Sequence, residues 1–551
     1  MPKRSREKKT KKNYHNNTNN LQQISCIETV LQFLSVTDVC ALRNCTKISP
    51  IHLKCFIYMS QQHRWDFDEL STTSKIDLNC IQKFTFQSNN QSAISCLQNL
   101  KNIKYLKTTF KLFQNNEDLN IETLPNTILE WICNIDGIFT KLKSLPSNLL
   151  SFHRHCHFEV GMPRLTFADF PSSLTSLTFS TKRDLEYIVL PQCLVLLNIC
   201  CQIKELKPGL IPQSVQTLVF GSYEMCEIQK NALPNNLIKL ILVCNDDLML
   251  ANDAILPPTL LKMDVGTCFN VFKLTCLPPN LKTLKYECSE TFFSRFTNRV
   301  LPSSLQKLIC FSINPFANSR FIPEDMMHQL KQIKHLEISH RKYDTKYFYH
   351  LDGENLKVLS LNIGDDSIMF QHLQGLRKLF LEYSSKAVIC GLHLLTNLTD
   401  LRLGNNFLPL DSLILPVNLI ALEMCKMQNV HYLTKLKKLS IFCQGPITLI
   451  RDHFPENLSF LEIEATTVNF HKRSINGDVF PLKLHTLFLS CNFQKRKLQF
   501  PESLHELTLS KCFADFNLKN ILPKNLYTCN LPKICLKNFN NDVPKNVRFR
   551  Y

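Results

Sequence analysis

One sequence unit returns about every 21 residues through most of the chain, and it constrains the fold more than any other feature. The unit is Leu-Pro-x-x-Leu-x-x-Leu-x-Leu, which reads FPSSLTSLTF at 170–179, LPNNLIKLIL at 233–242 and LPSSLQKLIC at 301–310. Self-similarity at such a period indicates one supersecondary unit stacked many times. Because stacked solenoids offer a surface to a partner, the repeat predicts a binding protein and not an enzyme.

The spacing of the leucines predicts where each strand lies. We take as anchor the first apolar residue of each Leu-x-x-Leu-x-Leu stretch, such as Leu237 in LPNNLIKLIL. Anchors recur from Ile81 to Val547, mostly about 20–25 residues apart, which predicts about 22 coils. The alternation after each anchor is that of a strand with its apolar residues turned inward. The preceding Pro suits a strand start, and parallel pairing of the strands predicts a curved sheet.

Three regions differ in their patterning. Residues 1–23 are basic and polar, and we expect a disordered tail. Residues 24–70 lack the repeat, and four apolar residues there have the spacing of one helix face: Ile27, Val30, Leu31 and Leu34. With two further short helical segments, residues 24–70 predict a small helical module. Residues 71–551 form the repeat array.

Charge and cysteine content limit the partners and the cellular compartment that we expect for this chain. Of the formal charge of +18, the first twelve residues contribute +6 (seven Lys or Arg against one Glu), so the rest of the chain is only mildly basic. This balance does not favour nucleic acid as the main partner. No secretory h-region and no apolar run of about 20 residues occurs, so we expect a cytoplasmic or nuclear protein without a membrane partner. The 24 cysteines are then expected to be reduced, many of them buried in the repeats.

The repeat array resembles the leucine-rich repeat superfamily and, within it, the FNIP repeats of amoebae and giant viruses. The stretch CFNVFKLTCLPPNLKTLKY at 268–286 carries the Phe-Asn pair and the Leu-Pro-x-x-Leu-x-x-Leu of that family. The resemblance implies a leucine-rich-repeat-like curved parallel sheet, which together with the helical module gives an α+β solenoid. Because coils of about 20–22 residues leave little room for a return helix, we expect extended segments and short turns on the return side. The resemblance also implies a protein-interaction function.

The helical module resembles an F-box. The stretch CIETVLQFLSVTDVCALRNCTK at 26–47 follows that family's layout, although Ser25-Cys26 replaces the usual opening Leu-Pro. The resemblance implies binding to a Skp-type adaptor of a cullin ubiquitin ligase through Leu31, Phe33, Leu34, Val39 and Leu42. The alternative is a plain cap that covers the first coil of the solenoid.

Residues two and four positions after each anchor should face outward from the curved sheet. Early coils place lysines and apolar residues there or nearby, and later coils add aromatic residues among carboxylates: Lys239, Ile241, Lys262, Lys285, Lys307, Ile309, Phe311, Phe380, Phe460 and Phe488. One interpretation is a partner-binding face, basic in its early part and acidic with aromatics in its late part. The other is an ordinary solvated surface.

No catalytic or cofactor motif accompanies the repeat. His153, His155 and His157 alternate in HRHCHF, but no second cluster at ligand spacing supports a metal site, so we predict neither metal nor cofactor. The sequence therefore predicts a non-enzymatic substrate-recognition subunit of a cullin-type ubiquitin ligase, with an unknown target protein. The alternative is a leucine-rich-repeat scaffold without a ubiquitin link. A nucleic-acid binder using the basic tail and the lysines is a third hypothesis, which predicts affinity that falls steeply with salt.

Overall fold

The computed structural model divides the chain into two units, Met1–Pro257 and Pro258–Tyr551, which we describe separately. The structure describes these residues: 83–87, 103–110, 124–135, 145–155, 170–181, 185–222, 226–243, 248–250, 256–265, 277–287, 300–311, 324–339, 351–362, 368–382, 389–404, 414–470, 479–493, 499–509, 522–530 and 548–550. The tail and the predicted helical module at 24–70 lie outside these ranges, so both stay predictions. Within the described ranges we find no helix with the length and hydropathy of a membrane span.

In the first unit, a strand follows each successive anchor, and each strand pairs in parallel with the one from the preceding coil. These strands are β1 Lys83–Gln87, β2 Tyr105–Phe110, β3 Glu130–Ile135, β4 Ser151–His155, β5 Ser176–Thr181, β6 Leu196–Cys201, β8 Thr217–Ser222 and β10 Lys239–Leu242. A second parallel sheet lies on the return side of the coils and consists of β7 Glu205–Leu206, β9 Cys226–Ile228 and β11 Leu248–Leu250.

The second unit repeats this arrangement, again with parallel pairing from coil to coil. Its main strands are β12 Lys262–Asp264, β13 Thr283–Glu287, β14 Lys307–Phe311, β15 His335–Ser339, β16 Val358–Asn362, β18 Lys378–Glu382, β20 Asp400–Leu403, β21 Ala421–Met424, β22 Lys438–Phe442, β24 Phe460–Phe470, β25 Thr486–Phe493, β26 Glu506–Leu509, β27 Thr528–Asn530 and β28 Arg548–Arg550. The shorter strands are β17 Ile368–Met369, β19 Ile389–Cys390 and β23 Pro446–Leu449. The predicted parallel sheet is confirmed.

The helical part of the predicted α+β class rests on residues 24–70, outside the described ranges, and not on the return segments of the coils. In the described residues they contain short strands and 3₁₀ helices, and no α-helix: Leu185–Tyr187, Glu324–Gln332, Leu392–Leu394 and Arg451–His453 are the 3₁₀ helices. A coil of about 21 residues is too short for a strand, two turns and a return α-helix of several turns. The described fold is therefore a parallel β-solenoid. The count of about 22 coils stays a prediction, since parts of most return segments lie outside the described ranges.

The coils that carry the Leu-Pro pattern enter their strands through the same turn. The anchor N–H donates to the carbonyl of the Pro three residues earlier, at 3.2 Å for Leu237 to Pro234 and 2.9 Å for Leu305 to Pro302. Pro is the first residue of this turn, where its carbonyl accepts the bond and its missing N–H is not required. In these coils the Leu-Pro-x-x-Leu pattern thus marks the start of the strand.

Side chains just before the anchor link consecutive turns by hydrogen bonds. Where this residue is Asn, its amide donates to a backbone carbonyl of the preceding turn, at 2.9 Å for Asn397 to Gln374 and 2.7 Å for Asn418 to Thr396. Ser304 reaches the equivalent carbonyl, that of Pro279, at 2.8 Å. These bonds satisfy carbonyls that the parallel ladder leaves without a partner at the edge of the sheet.

The core of each coil consists of the anchor and the residues three and five positions later. In the coil of Leu281, the anchor, Leu284 and Tyr286 are all fully buried. Cys310 occupies the last of these positions, and Cys491 lies two positions beyond it in its own coil; both are buried, as expected for cysteine acting as a small apolar side chain. Successive coils stack these side chains, so each coil completes the core of its neighbour.

Two leucines of one coil test this division between core and surface. Leu487 on β25 is fully buried, whereas Leu482 in the preceding turn is 67% exposed. We expect Leu487→Ala to destabilise the protein by about 2–5 kcal/mol, because it removes stacked core atoms and leaves a cavity. The matched Leu482→Ala should cost less than about 0.5 kcal/mol. Urea unfolding followed by circular dichroism measures both, and equal costs would contradict the assigned packing.

Candidate partner-binding face

The outward face of the second unit contains two parallel columns of side chains. The +2 column holds residues two positions after each anchor, and the +4 column holds residues four positions after it. Strand register aligns Lys262, Thr283 and Lys307 in the +2 column and Asp264, Lys285 and Ile309 in the +4 column. Residues between them, such as Leu284 and Leu308, are buried. Alternation along each strand therefore turns both columns outward.

The register shows where the predicted face residues lie. Lys262, Lys307 and Phe460 belong to the +2 column of the second unit, and Lys285, Ile309, Phe380 and Phe488 belong to its +4 column. Phe311 lies two positions further along β14, opposite Glu287 and Ser339. All are half-buried except Lys262, which is exposed. The predicted lysines thus occupy two columns and not one.

Lys239 and Ile241 belong to the first unit. They lie on β10, opposite Thr217 and Val219 of β8, and both are half-buried. Their outward positions match those of the second unit, but we do not combine them with Lys262 and Lys285 into one patch.

Acidic residues on neighbouring strands pair with three outward lysines of the second unit. Lys285 Nζ lies 2.9 Å from Asp264 Oδ2, and Lys307 Nζ lies 3.2 Å from Glu337 Oε1. Lys378 faces Asp400 in the same way, at 3.5 Å. Partly exposed pairs of this kind contribute little stability, at most about 1 kcal/mol each. They do fix the side chains in place, so this face is charge-paired and not simply basic.

Cations also cover the aromatic rings of this face. The guanidinium of Arg402 lies 5.2 Å from the Phe380 ring centroid, and Lys438 Nζ lies 4.7 Å from the Phe460 centroid. Lys285 Nζ is placed over Phe311 at 5.3 Å. Such contacts are favourable by about 0.5–1 kcal/mol at partly exposed sites. The rings are therefore partly covered by cationic neighbours, and are not bare apolar groups.

Two carboxylates flank a buried serine near the middle of the second unit. Glu423, Ser440 and Glu462 are aligned on β21, β22 and β24. Ser440 is 3% exposed, and its Oγ donates to Glu462 Oε2 at 2.9 Å. Arg402 Nε lies 2.7 Å from Glu423 Oε2. Burial raises the pKa of Glu423, the Arg402 charge opposes this rise, and the charge of Glu462 adds to it.

Glu337 has the opposite shift. A hydrogen bond from His335 Nε2 holds the pKa of the Glu337 carboxyl below its ordinary value, while burial opposes this and Lys307 assists it. The two carboxylates thus differ in whether their surroundings favour the charged form. At Glu337 the cationic and donor groups outweigh desolvation, and at Glu423 desolvation prevails.

The predicted face does not include the partners that organise it. Asp264, Glu337, Arg402 and Lys438 each lie one coil away from the residue they contact. Their sequence signal was available, since all four occupy positions two or four residues after an anchor. When the +2 and +4 columns are followed separately from coil to coil, the sequence already places opposite charges side by side.

His153, the first histidine of HRHCHF, contacts two neighbouring side chains. His153 is fixed by two neighbours, with its ring nitrogens 2.7 Å from Ser151 Oγ and 2.9 Å from Thr178 Oγ1. The side chain of His155 and all of His157 lie outside the described residues. Among the residues that the structure describes, no cluster of three or more His, Cys, Asp or Glu has the spacing of a metal site.

Stability measured against pH tests the Glu337 environment. We expect Glu337→Gln to destabilise the protein at pH 7 by less than about 1 kcal/mol, because its ion pair is partly exposed. A lowered folded-state pKa means that the contribution is complete above the ordinary carboxyl range of about 4 to 4.5. It is lost as the pH falls through the lowered pKa. Urea midpoints of the two proteins should therefore converge between pH 7 and pH 3.

Glu423 serves as the matched control, because its pKa is shifted in the opposite direction. Its raised pKa means that the contribution of this group to stability is present at low pH and is lost as the pH rises through the raised value. Glu423→Gln should thus leave the urea midpoint at pH 7 unchanged or higher. A difference between wild type and Glu337→Gln that stays constant with pH would contradict the assigned environment.

A comparison with family models agrees with the repeat in the sequence. The family model described as FNIP Repeat matches residues 204–245, in the first unit. No curated protein matches the chain by sequence. Among solved structures, a protein described as the novel circular LRR protein CroV588 is 19% identical, with 86% of this chain and 70% of that chain covered and a TM-score of 0.37. The mouse RP105/MD-1 complex gives 14% identity, coverage of 85% and 78%, and a TM-score of 0.46. YopM from Yersinia enterocolitica gives 17%, coverage of 81% and 87%, and 0.29. Residues 204–245 thus match an FNIP repeat, and the described fold is a parallel β-solenoid.

Proposed function

We propose that the chain is a protein-interaction receptor that holds a target protein on the outward face of its second unit and performs no chemistry itself. The observation that carries this proposal is the pre-ordered state of that face. Ion pairs such as Arg402–Glu423 and cation–ring contacts such as Lys438–Phe460 link neighbouring strands across it. Side chains that are already held lose less conformational entropy when a partner binds.

The composition of the face suits protein recognition. Phenylalanines and an arginine lie among paired charges on a rigid sheet, and aromatic and Arg side chains carry much of the binding energy at protein interfaces. Phe380, Phe460 and Phe488 supply the aromatic contacts of the proposed interface. Its early part consists of Lys262, Lys285, Lys307, Ile309 and Phe311. Lys239 and Ile241 of the first unit would contribute separately.

We further propose that the receptor serves a cullin-type ubiquitin ligase. The support is the F-box resemblance of residues 24–70, in which Leu31, Phe33 and Leu34 would contact a Skp-type adaptor together with Val39 and Leu42. Binding a target would raise its effective concentration near the ubiquitin-transferring enzyme on the same scaffold. If residues 24–70 serve only as a cap, the chain is a leucine-rich-repeat scaffold without a ubiquitin link.

Adaptor capture separates these two possibilities. We expect the full-length protein to bind a purified Skp-type adaptor with one-to-one stoichiometry. The double variant Phe33→Asp, Leu34→Asp should lose at least about tenfold in affinity, because charges cannot enter an apolar contact without a large desolvation cost. Isothermal titration calorimetry measures both, and circular dichroism checks that the variant is folded.

A second double variant controls for the added charge. Val300 and Leu482 are 61% and 67% exposed on the repeat array, so Val300→Asp, Leu482→Asp should leave both folding and adaptor binding unchanged. No binding by the wild-type protein would leave the cap interpretation for residues 24–70. Equal loss in both double variants would also count against a specific adaptor contact.

Site-specific photo-crosslinking tests the target-binding face. A benzophenone amino acid at Phe488 should crosslink a defined protein in extract of cells that express the chain. The same group at the 81% exposed Tyr187 of the first unit should not crosslink that protein. The crosslink at Phe488 should weaken at least about fivefold when Phe460→Ser is added, since the aromatic contact of the neighbouring strand is lost. Identical crosslinks from both positions would contradict a specific face.

A further inference from the structure

A third column of the second unit lies along the edge at which the strands begin. This edge column consists of the residue directly after each anchor, from Lys282 to Tyr527. Each backbone N–H in it donates to the carbonyl of the column residue on the preceding coil. The bond is 2.8 Å long from Lys357 to Lys334 and 2.9 Å long from Arg377 to Lys357. An unbroken series of such bonds runs from Lys282 to Tyr527, so the residues form one continuous row.

The edge column is strongly one-signed. Its members are Lys282, Gln306, Lys334, Lys357, Arg377, Thr399, Ile420, Lys437, Ser459, His485, His505 and Tyr527. Five of these are Lys or Arg and none is Asp or Glu. In the +2 and +4 columns, by contrast, cations such as Lys285 and Arg402 have carboxylate partners.

The cations of the edge column have no carboxylate partner within ion-pair distance among the described residues. Lys357 Nζ does donate to a nearby group, but that group is the backbone carbonyl of Glu354 and not its carboxylate. Lys334 and Arg377 are exposed, and Lys357 is half-buried. Three consecutive coils therefore present positive charge with which no described carboxylate forms an ion pair.

Spacing and an apolar group define the ligand more closely. Neighbouring strands lie about 4.8 Å apart, so the seven steps from Lys282 to Lys437 span roughly 34 Å. An extended peptide of about 12 residues covers this distance. Between Arg377 and Lys437 the column carries Ile420, which is 43% exposed, and the same coil presents Val417 at 59%. A matching ligand is acidic along its length and apolar near one point.

We propose that the edge column binds an acidic segment of a partner protein, with an apolar side chain of that segment resting on Ile420. The proposal rests on the proposed function only in taking the partner to be a protein, and it names a surface separate from the paired-charge face. Lys334, Lys357 and Arg377 supply the central charge recognition. Lys282 and Lys437 extend it on either side.

The end of the column argues against single-stranded nucleic acid as the ligand. Binding of that kind combines cations with aromatic rings whose faces are open to bases. The rings of His485 and His505 are parallel within 1° and 5.2 Å apart, and Tyr527 follows His505 at 5.3 Å. Tyr527 is 62% exposed, but all three rings lie two to four coils beyond Lys437, the last cation of the column, so cations and open rings do not alternate along it. An acidic peptide needs only the charges and the apolar position.

Fluorescence anisotropy with defined probes tests the proposal. The probes are a labelled peptide of about 12 residues with alternating Glu and Ser, the same peptide with its two central Ser replaced by Leu, and an oligouridylate of similar charge. We expect the full-length protein to bind the Leu-containing peptide most tightly. Lys334→Gln, Lys357→Gln, Arg377→Gln should weaken that binding roughly tenfold or more. Lys334→Arg, Lys357→Arg keeps the charge and should keep the affinity.

A charge-matched control excludes a general effect of net charge. Lys204, Lys207 and Lys230 are exposed residues of the first unit, and changing all three to Gln removes the same charge. This control should change peptide affinity less than about twofold. The basic tail is present in every variant, so its contribution cancels. Ile420→Ser should weaken only the Leu-containing peptide, by a few-fold.

Equal affinities for the edge-column triple variant and the control triple variant would overturn the proposal. It would also be overturned if oligouridylate bound more tightly than either peptide and lost affinity in the edge-column triple variant. An effect of Ile420→Ser that is the same for both peptides would remove the apolar contact from the proposal. Failure of the proposed target-binding face would show instead in the crosslinks at Phe488, which these variants do not touch.

Discussion

The backbone ladder between consecutive coils is the interaction on which the rest of this structure depends. The carbonyl after each anchor accepts two N–H groups from the next coil, as Lys357 does from Arg377 at 2.9 Å and Lys378 at 3.0 Å. This shared acceptor sets the register of every following residue. Buried side chains then stack on buried side chains, and outward side chains align into columns. Core packing, charge pairing and candidate binding surfaces are all consequences of one repeated contact.

Register also explains how much the sequence could predict. Anchor spacing predicted the parallel sheet, the buried positions such as Leu284 and Leu308, and the outward residues, because alternation within a strand is local. The contacts between outward residues depend on which residues of separate coils align. Lys285 looked like a member of a lysine row, yet the register sets it between Asp264 and Ile309. The extended return segments could also be predicted, because about 21 residues per coil leave no room for a return helix of several turns.

Lysines of similar sequence context have different physical roles in the second unit. Lys307 is balanced by Glu337 and adds order to the outward face, whereas Lys334, one coil later and one position earlier relative to its anchor, belongs to an unbalanced row. A shift of one position relative to the anchor thus separates a structural charge from one available to a ligand. Net charge alone does not reveal this division, since both kinds contribute equally to it.

The turn that begins each strand has a consequence for how such a chain changes over generations. Leu419 and Leu436 are much closer along the chain than Leu305 and Ile333, yet every one of them enters its strand with the same hydrogen bonds to the preceding coil. Insertions and deletions in a return segment are therefore absorbed without moving the outward columns. Duplication of a whole coil would lengthen each column by one residue and leave its order intact. The ligand specificity of such an array can be inherited, extended or shortened in units of one coil.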